Sequence, residues 1–259
     1  MSKVLITGGT GALGRLIASR IDRHDKEIAI LTSRTDTVDL DHVTVYHGDL
    51  ARGTGLADAI HGSQTIIHCA SNPRDFQSVD IEGTMKLLAA IPTGEKPHII
   101  YISMVGVDQS TYPYYQAKWA VERQLANSGY PFSILRTTQF HHFVEAFIEM
   151  HLADAGSESC IPSGLRFQSV DCTEVADRLI SMAAAGPSGL APDFGGPEII
   201  TLETMFKQYL ESYQMPLSWE TKPLDGPRYA LFRSGINLCP AHREGRISWR
   251  EFLYQRRNG

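Results

Sequence analysis

The chain has 259 residues, with 42% hydrophobic and 20% charged side chains and a formal net charge of −5. That length buries one large core or two modest ones, and the composition is that of a folded globular protein rather than a disordered one. The acidic balance argues against a general nucleic-acid binder, which carries a basic face, and no apolar run approaches the ~18 residues of a membrane span.

Residues 1–150 alternate strand and helix patterns, as a parallel sheet with crossover helices requires. Val4-Leu5-Ile6 reads as a first strand and residues 12–21 as the helix after it. Further strands are expected over Glu27–Thr32, Val43–Tyr46, Thr65–Cys69, His98–Ser103 and Phe132–Arg136. Helices are expected over Leu56–Ile60, Val79–Ala90 and Tyr114–Ser128, with Gly62 and Gly129 closing the first and last. Continuous apolar runs such as Ile66-Ile67 and Ile99-Ile100 suit strands covered on both faces.

Beyond Phe140 the rhythm changes. Phe143, Val144, Phe147, Ile148 and Leu152 mark an amphipathic helix, and 156–164 reads as a loop. A short strand over Phe167–Val170, a helix over Thr173–Ala185, a Gly/Pro-rich connector over 187–197, a strand at Ile199–Thr201 and a helix over Leu202–Tyr213 follow. Glycines at 8, 11 and 14 after the first strand have the spacing of a dinucleotide-binding turn, so the expected organisation is a dinucleotide-binding domain over 1–150, with 166–185 and about 197–201 returning to it. Most of 151–259 is expected as a small cap, with no layout assigned to 216–259. The fold class is therefore α/β, a Rossmann-type doubly wound parallel sheet with a small C-terminal substrate or cap region.

The stretch Thr7-Gly8-Gly9-Thr10-Gly11-Ala12-Leu13-Gly14 lies between the first strand and its helix. Such a turn cradles phosphates: Gly8 permits the tight turn, Gly11 lets backbone approach a pyrophosphate, and Gly14 lets helix pack on strand. Backbone N–H groups of Thr10, Ala12 and Leu13 at the helix start add free donors and a positive dipole end. Twenty residues after Gly14, where an acid commonly holds the ribose of NAD, the chain has Ser33-Arg34. A guanidinium and a hydroxyl there suit a 2′-phosphate, so the expected cofactor is NADP(H), with Asp36 nearby as the counter-argument. Asp49-Leu50, after the third strand, is placed either for the adenine or as a turn residue. Cys69-Ala70-Ser71, ending the fourth strand, complete the expected nucleotide-facing wall on this side.

Tyr114 and Lys118 are four apart and share a helix face. An ammonium near a phenol favours the phenolate, and such a tyrosine can exchange a proton with a carbonyl oxygen. Lys118 is expected to hold the nicotinamide ribose as well. After the sixth strand, Thr137, Thr138, Gln139 and Phe140 are expected along the nicotinamide, with free backbone groups for its carboxamide. Met104, Tyr114, Phe140, His141 and His142 are the expected substrate wall. Neighbouring residues on a helix point ~100° apart, so the two histidines are poorly arranged to chelate one metal, and none is expected.

These residues together resemble the short-chain dehydrogenase/reductase superfamily. The spacing Thr7-Gly8-x-x-Gly11-x-x-Gly14 is that of its extended and atypical branches. The runs Tyr101–Val107, Pro113-Tyr114-Tyr115-x-x-Lys118 and Leu135–Phe140 look like the NmrA-like atypical group. The resemblance implies a seven-stranded Rossmann-type sheet, NADP(H) binding and, in many members, reduction of a carbonyl, quinone or enone. It also implies a catalytic serine one or two residues after the first serine of the fifth strand. Ser103 matches that first serine, but Met104 and Val105 stand in the usual catalytic places, so a relay through Ser103 is in doubt.

The expectation is an NADP-dependent oxidoreductase acting on a small molecule as a monomer or homodimer, with no nucleic-acid or membrane partner. A non-catalytic NADP(H) sensor is the main rival, and a nucleotide-sugar epimerase or dehydratase the lesser one. The chain opens directly on a core strand, without the pattern of a secretory signal. Its four cysteines (Cys69, Cys160, Cys172, Cys239) form no Cys-x-x-Cys pair. Free thiols in a cytoplasmic protein are expected.

Overall fold

A computed structural model describes residues 2–24, 26–34, 42–153, 159–216 and 219–258. Its internal packing divides the chain into two units: residues 1–103, 113–135 and 172–191 form the first, and 104–112, 136–171 and 192–259 the second.

The first unit is built on strands β1 (Ser2–Thr7), β2 (Lys26–Thr32), β3 (Thr44–His47), β4 (Ser63–His68), β5 (His98–Met104), β6 (Phe132–Thr137) and β9 (Gly189–Leu190). Strands β7 (Ser159–Pro162) and β8 (Arg166–Phe167) belong to the second unit. The seven form one parallel sheet in the order β3-β2-β1-β4-β5-β6-β9. The strand order reverses beside β1, so a crevice opens at the carboxyl ends of β1 and β4, where ligands of such sheets bind. Helices α1 (Ala12–Arg20), α2 (Leu56–Ile60), α3 (Gly83–Ala89), α4 (Pro113–Asn127) and α6 (Cys172–Ala185) cover it.

One core joins Leu5, Ala29, Ile66 and Ile99 of the sheet to Leu56 and Ile60 of α2, Leu87 of α3, and Val121 and Leu125 of α4. Helices α1 and α6 pack on one another, α1 also against β1 and α6 against β4. Side chains alternate across a strand, so Val4 and Ile6 serve this second layer while Leu5 serves the first. The edge strand β9 lies inside the stretch expected as a connector. Two residues in a Gly/Pro-rich run carry no period by which to be recognised. Before α3 the chain winds one π-helical segment, Gln77–Glu82, where an ordinary helix is expected. The same residue types suit both windings, so composition does not separate them.

The second unit contains α5 (His141–Ala153), β7 and β8, β10 (Ile200–Thr201), α7 (Leu202–Ser212), β11 (Trp219–Lys222), α8 (Pro227–Ser234) and α9 (Trp249–Asn258). Strand β7 pairs in parallel with β11, across part of the expected 156–164 loop. Strands β8 and β10 pair antiparallel in a sheet of their own. Residues 166–171 and 197–201 thus fall in the second unit, and of the stretches expected to return to the first only 172–185 does so. The tail is ordered by buried polar anchors that no periodicity reveals. Gln168 accepts a hydrogen bond from Cys239 N at 2.9 Å and donates to the carbonyls of Gly196 (3.0 Å) and His242 (2.8 Å). Trp249, fully buried, donates its indole N–H to Met205 O at 3.1 Å. Phe147, Phe167 and Phe232 pack ring on ring between α5, β8 and α8.

Candidate active site

The glycine turn between β1 and α1 is as tight as its sequence demands. Gly8 has φ +66°, and a Cβ there would stand 2.8 Å from the Cα and N of Ala70. A Cβ on Gly14 would overlap the Gly8 carbonyl oxygen, and one on Gly11 would press on the same oxygen at 3.2 Å. Gly9 is required too, because its Cβ would overlap Ile30 on β2. Gly11 is the N-cap of α1 and supplies no side chain, so the first N–H groups of the helix keep their capacity for a ligand.

Beside this turn lies a cleft of about 440 Å³, lined by Gly8, Thr10, Gly11, Ser33, Arg34 and Asp49, with Leu50, Cys69, Ala70 and Ser71 completing the wall. Sequence positions spread over 60 residues are thus brought together. Ala12 and Leu13 follow on α1, and Leu13 is buried in the core. Thr10 and Thr32 share a hydroxyl contact of 3.0 Å that ties the turn to the end of β2. Arg34 donates to the Thr10 carbonyl at 3.3 Å, and Arg15 donates to the same oxygen at 3.0 Å. Two exposed guanidiniums therefore flank one carbonyl at the cleft's edge. Arg15 escaped the sequence reading, although it stands directly after Gly14. Asp36 lies outside the described residues. The Asp49 carboxylate accepts from Arg52 N at 3.2 Å, which makes it at least a turn residue. Burial pushes the half-buried Cys69 thiol up to about 12, which disfavours its thiolate.

At the far wall a polar cluster, buried at Asp80 and Lys118 and exposed at Ser71, adjoins the half-buried tyrosine. Tyr114 Oη lies 2.8 Å from Ser71 Oγ. Ser71 donates to Asp80 Oδ1 at 2.6 Å, and Asn72 N donates to Asp80 Oδ2 at 3.0 Å. Asp80 sits on the π-helical segment, 1% exposed, and its Oδ1 is 3.8 Å from Lys118 Nζ. Lys118 also lies over the Tyr101 ring, 4.4 Å from its centroid. Burial holds the Lys118 ammonium below its ordinary value, and Asp80 is the first of the groups that oppose this, ahead of Cys69 and Glu122. Burial, with Asp80 next, holds the Tyr101 phenol well above its usual range. Ser103 is buried, and its Oγ has no hydrogen-bond partner among the described residues. Neither Ser71 nor Asp80 was singled out for the tyrosine by sequence. Sharing a contact with residue 114 across such separations leaves no local signal.

Met104, Thr137, Thr138, Gln139, Phe140, His141 and His142 belong to the second unit. The backbone groups expected to be free there are largely engaged. Thr137 O accepts from Val105 N, Thr138 N donates to Phe194 O, and Gln139 O accepts from Val170 N. Sequence could not show this, because the partners come from distant loops. His141 is buried, with Nδ1 2.8 Å from Ser169 Oγ, Nε2 3.0 Å from Ile247 O, and Trp249 and Phe252 as ring neighbours. Burial brings it down to about 4. In the first unit burial likewise brings His68, held between Thr7 and Thr84 hydroxyls, down to about 3.

A pH prediction follows from the two histidines. Both are neutral when folded and regain the ordinary 6.5 when unfolded. Their contribution is full above pH 6.5 and is lost as the pH falls towards 4 for His141 and 3 for His68. Urea midpoints are expected to fall below pH 6.5 with a slope of up to about 1.4 kcal/mol per pH unit for each histidine. His141→Gln should flatten that slope; an unchanged slope would show that His141 does not carry it.

No helix among the described residues is long and apolar enough to cross a membrane. The (4-alkanoyl-5-oxo-2,5-dihydrofuran-3-yl)methyl phosphate reductase of Streptomyces griseus is 25% identical over 233 residues, 88% of this chain and 80% of that one. The photosystem II assembly factor Ycf39 of Trieres chinensis is 25% identical over 146 residues, 53% of this chain and 46% of that factor. In structure, the NADPH-dependent quinone oxidoreductase of Escherichia coli complexed with NADPH matches with a TM-score of 0.79 at 15% identity, over 98% of this chain and 100% of that one. Residues 1–166, well over half of the sequence, match the model of the NmrA-like family, and the chain belongs to that family.

Proposed function

We propose that the protein is an NADP(H)-dependent oxidoreductase that reduces a small, fairly apolar carbonyl, quinone or enone. One observation carries the reading: Ser71 lines the cleft beside the glycine turn and also touches the Tyr114 phenol at 2.8 Å. A proton-bearing side chain thus stands one hydrogen bond from the lining of the cleft. The cradle that Cβ atoms on Gly8 and Gly14 would fill fits a pyrophosphate. Bound there, a nicotinamide dinucleotide supplies or accepts the hydride. The chain's own residues do the rest. Thr10, Ala12 and Leu13 present backbone N–H groups to the phosphates, while the Gly11 N–H closes the turn on Gly8 O at 2.9 Å; Arg34 and Ser33, joined by Arg15, take the 2′-phosphate, and Lys118 serves the ribose. Tyr114 gives its proton to the substrate oxygen. Reductase activity in the Streptomyces griseus relative and NADPH in the Escherichia coli neighbour agree with this reading.

Charge-assisted contacts to the 2′-phosphate at about 1.5–3 kcal/mol predict that NADPH binds roughly ten- to a hundredfold more tightly than NADH. Fluorescence titration of both nucleotides checks this, and Arg34→Ala should remove most of the difference. Equal affinities in the parent protein would reject NADP selection.

A second reading, a non-catalytic NADP(H) sensor, is favoured by Met104 and Val105 in place of the expected serine and by the buried Ser103 hydroxyl, which has no partner among the described residues. A panel of quinones and aldehydes separates the two, because a sensor oxidises NADPH with none of them.

A further inference from the structure

We propose that Ser71, fixed by Asp80, is a positioning residue that keeps Tyr114 proton-bearing and so sets the site for reduction, the task left open by Met104 and Val105. This rests on the proposed oxidoreductase reading. The polarity of the hydrogen bonds carries it. A carboxylate only accepts, so the contact of 2.6 Å between Ser71 Oγ and Asp80 Oδ1 uses the one proton that Ser71 owns. The Ser71 oxygen is then an acceptor towards Tyr114, 2.8 Å away, and the phenol O–H is the donor. A hydrogen bond made by the neutral form of an acid holds the proton on it. Asp80 cannot turn away, because Asn72 N–H holds its other oxygen at 3.0 Å and the residue is 1% exposed.

Lys118 fits the same arrangement. The sequence alone places its ammonium to pull the phenol towards phenolate, but its charge faces Asp80 at 3.8 Å and the Tyr101 ring at 4.4 Å. Asp80 on the π-helical segment reaches Tyr114 through Ser71, Tyr101 on β5 is coupled to it electrostatically, and Lys118 on its own helix meets Asp80, with Cys69 and Glu122 acting on Lys118. Phe76 contributes an apolar ring, 6.2 Å from that of Tyr114. A dinucleotide bound in the cleft would supply the hydride to the carbonyl carbon, whose π pair would move to oxygen. The Tyr114 O–H bond breaks as the product O–H forms, and water at the exposed Ser71 edge returns a proton to the phenolate. One proton and one hydride enter for each carbonyl reduced.

The test reads the tyrosine itself. Phenolate absorbance is titrated in the full-length protein with and without Tyr114→Phe, and the difference gives the Tyr114 midpoint. The same difference is taken in Ser71→Ala and Ser71→Thr. Loss of the acceptor in Ser71→Ala should lower the midpoint by about one pH unit, tenfold in ionised fraction. Ser71→Thr should restore it. With a reducible quinone or aldehyde, Ser71→Ala should move the alkaline limb of the kcat–pH profile for reduction down by about the same pH unit, with little change in substrate KM. An unmoved or raised midpoint in folded Ser71→Ala, as judged by circular dichroism, overturns the proposal. If the parent protein turns over no substrate, the oxidoreductase reading fails, yet the midpoint still decides whether Ser71 holds the proton on Tyr114.

Discussion

Replacing Tyr114 by phenylalanine should lower turnover by about 10²–10⁴-fold, the usual worth of a positioned general acid, while leaving NADPH affinity within a factor of about two. The substitution removes one oxygen and keeps the ring, which packs 6.2 Å from Phe76. The helix start is preserved, and Ser71 keeps its bond to Asp80. The lost oxygen is the one atom by which the phenol reaches the cleft-lining Ser71. A steady-state comparison of kcat beside a nucleotide titration measures both quantities. Turnover equal to that of the parent protein would remove Tyr114 from the chemistry, and loss of nucleotide binding would assign it to the cofactor instead.

The parts of this site that could be read from sequence are those written in local patterns. The glycines at 8, 11 and 14 sit between an apolar run and a helix, and the contacts that their Cβ atoms would make with Ala70 and Gly8 explain why each is needed. Arg34 is proposed because its place is fixed by distance along the chain from Gly14, and Tyr114 and Lys118 because of their helical spacing. What escaped were the relations between distant segments: Ser71 and Asp80 reach Tyr114 and Lys118 through tertiary packing, and the π-helical winding that carries Asp80 has no compositional mark. The same holds for the tail, where Gln168 and Trp249 organise residues through hydrogen bonds to carbonyls far away in sequence. Six strands of the sheet are legible as short local runs, β3 the least apolar of them; the count of seven is implied only by the family resemblance, because Gly189–Leu190 is too short to announce itself.

The largest effect on stability is expected from Asp80→Ala. Asp80 and Lys118 are 1% and 4% exposed in their side chains and 3.8 Å apart. Removing one partner of a buried ion pair leaves the other charge uncompensated, at a cost of about 3–5 kcal/mol. The loss should depend on pH, and its sign can be worked out. Burial already holds Lys118 below its ordinary 10.5, with Asp80 opposing that pull. Without Asp80 the folded value falls further, so the lysine sheds its proton at a pH where the unfolded chain still binds one. Stability then rises with pH in the variant before it does so in the parent. The deficit should therefore be greatest near neutrality and narrow in alkaline solution. Urea midpoints of both proteins between neutral and alkaline pH measure it. A second substitution tests the cause: Asp80→Ala combined with Lys118→Met removes both charges and should recover much of the deficit, because the cost lies in the stranded ammonium rather than in lost attraction. A deficit that is independent of pH and unrelieved in the double variant would assign the whole effect to the hydrogen bonds that Asp80 receives from Ser71 and Asn72.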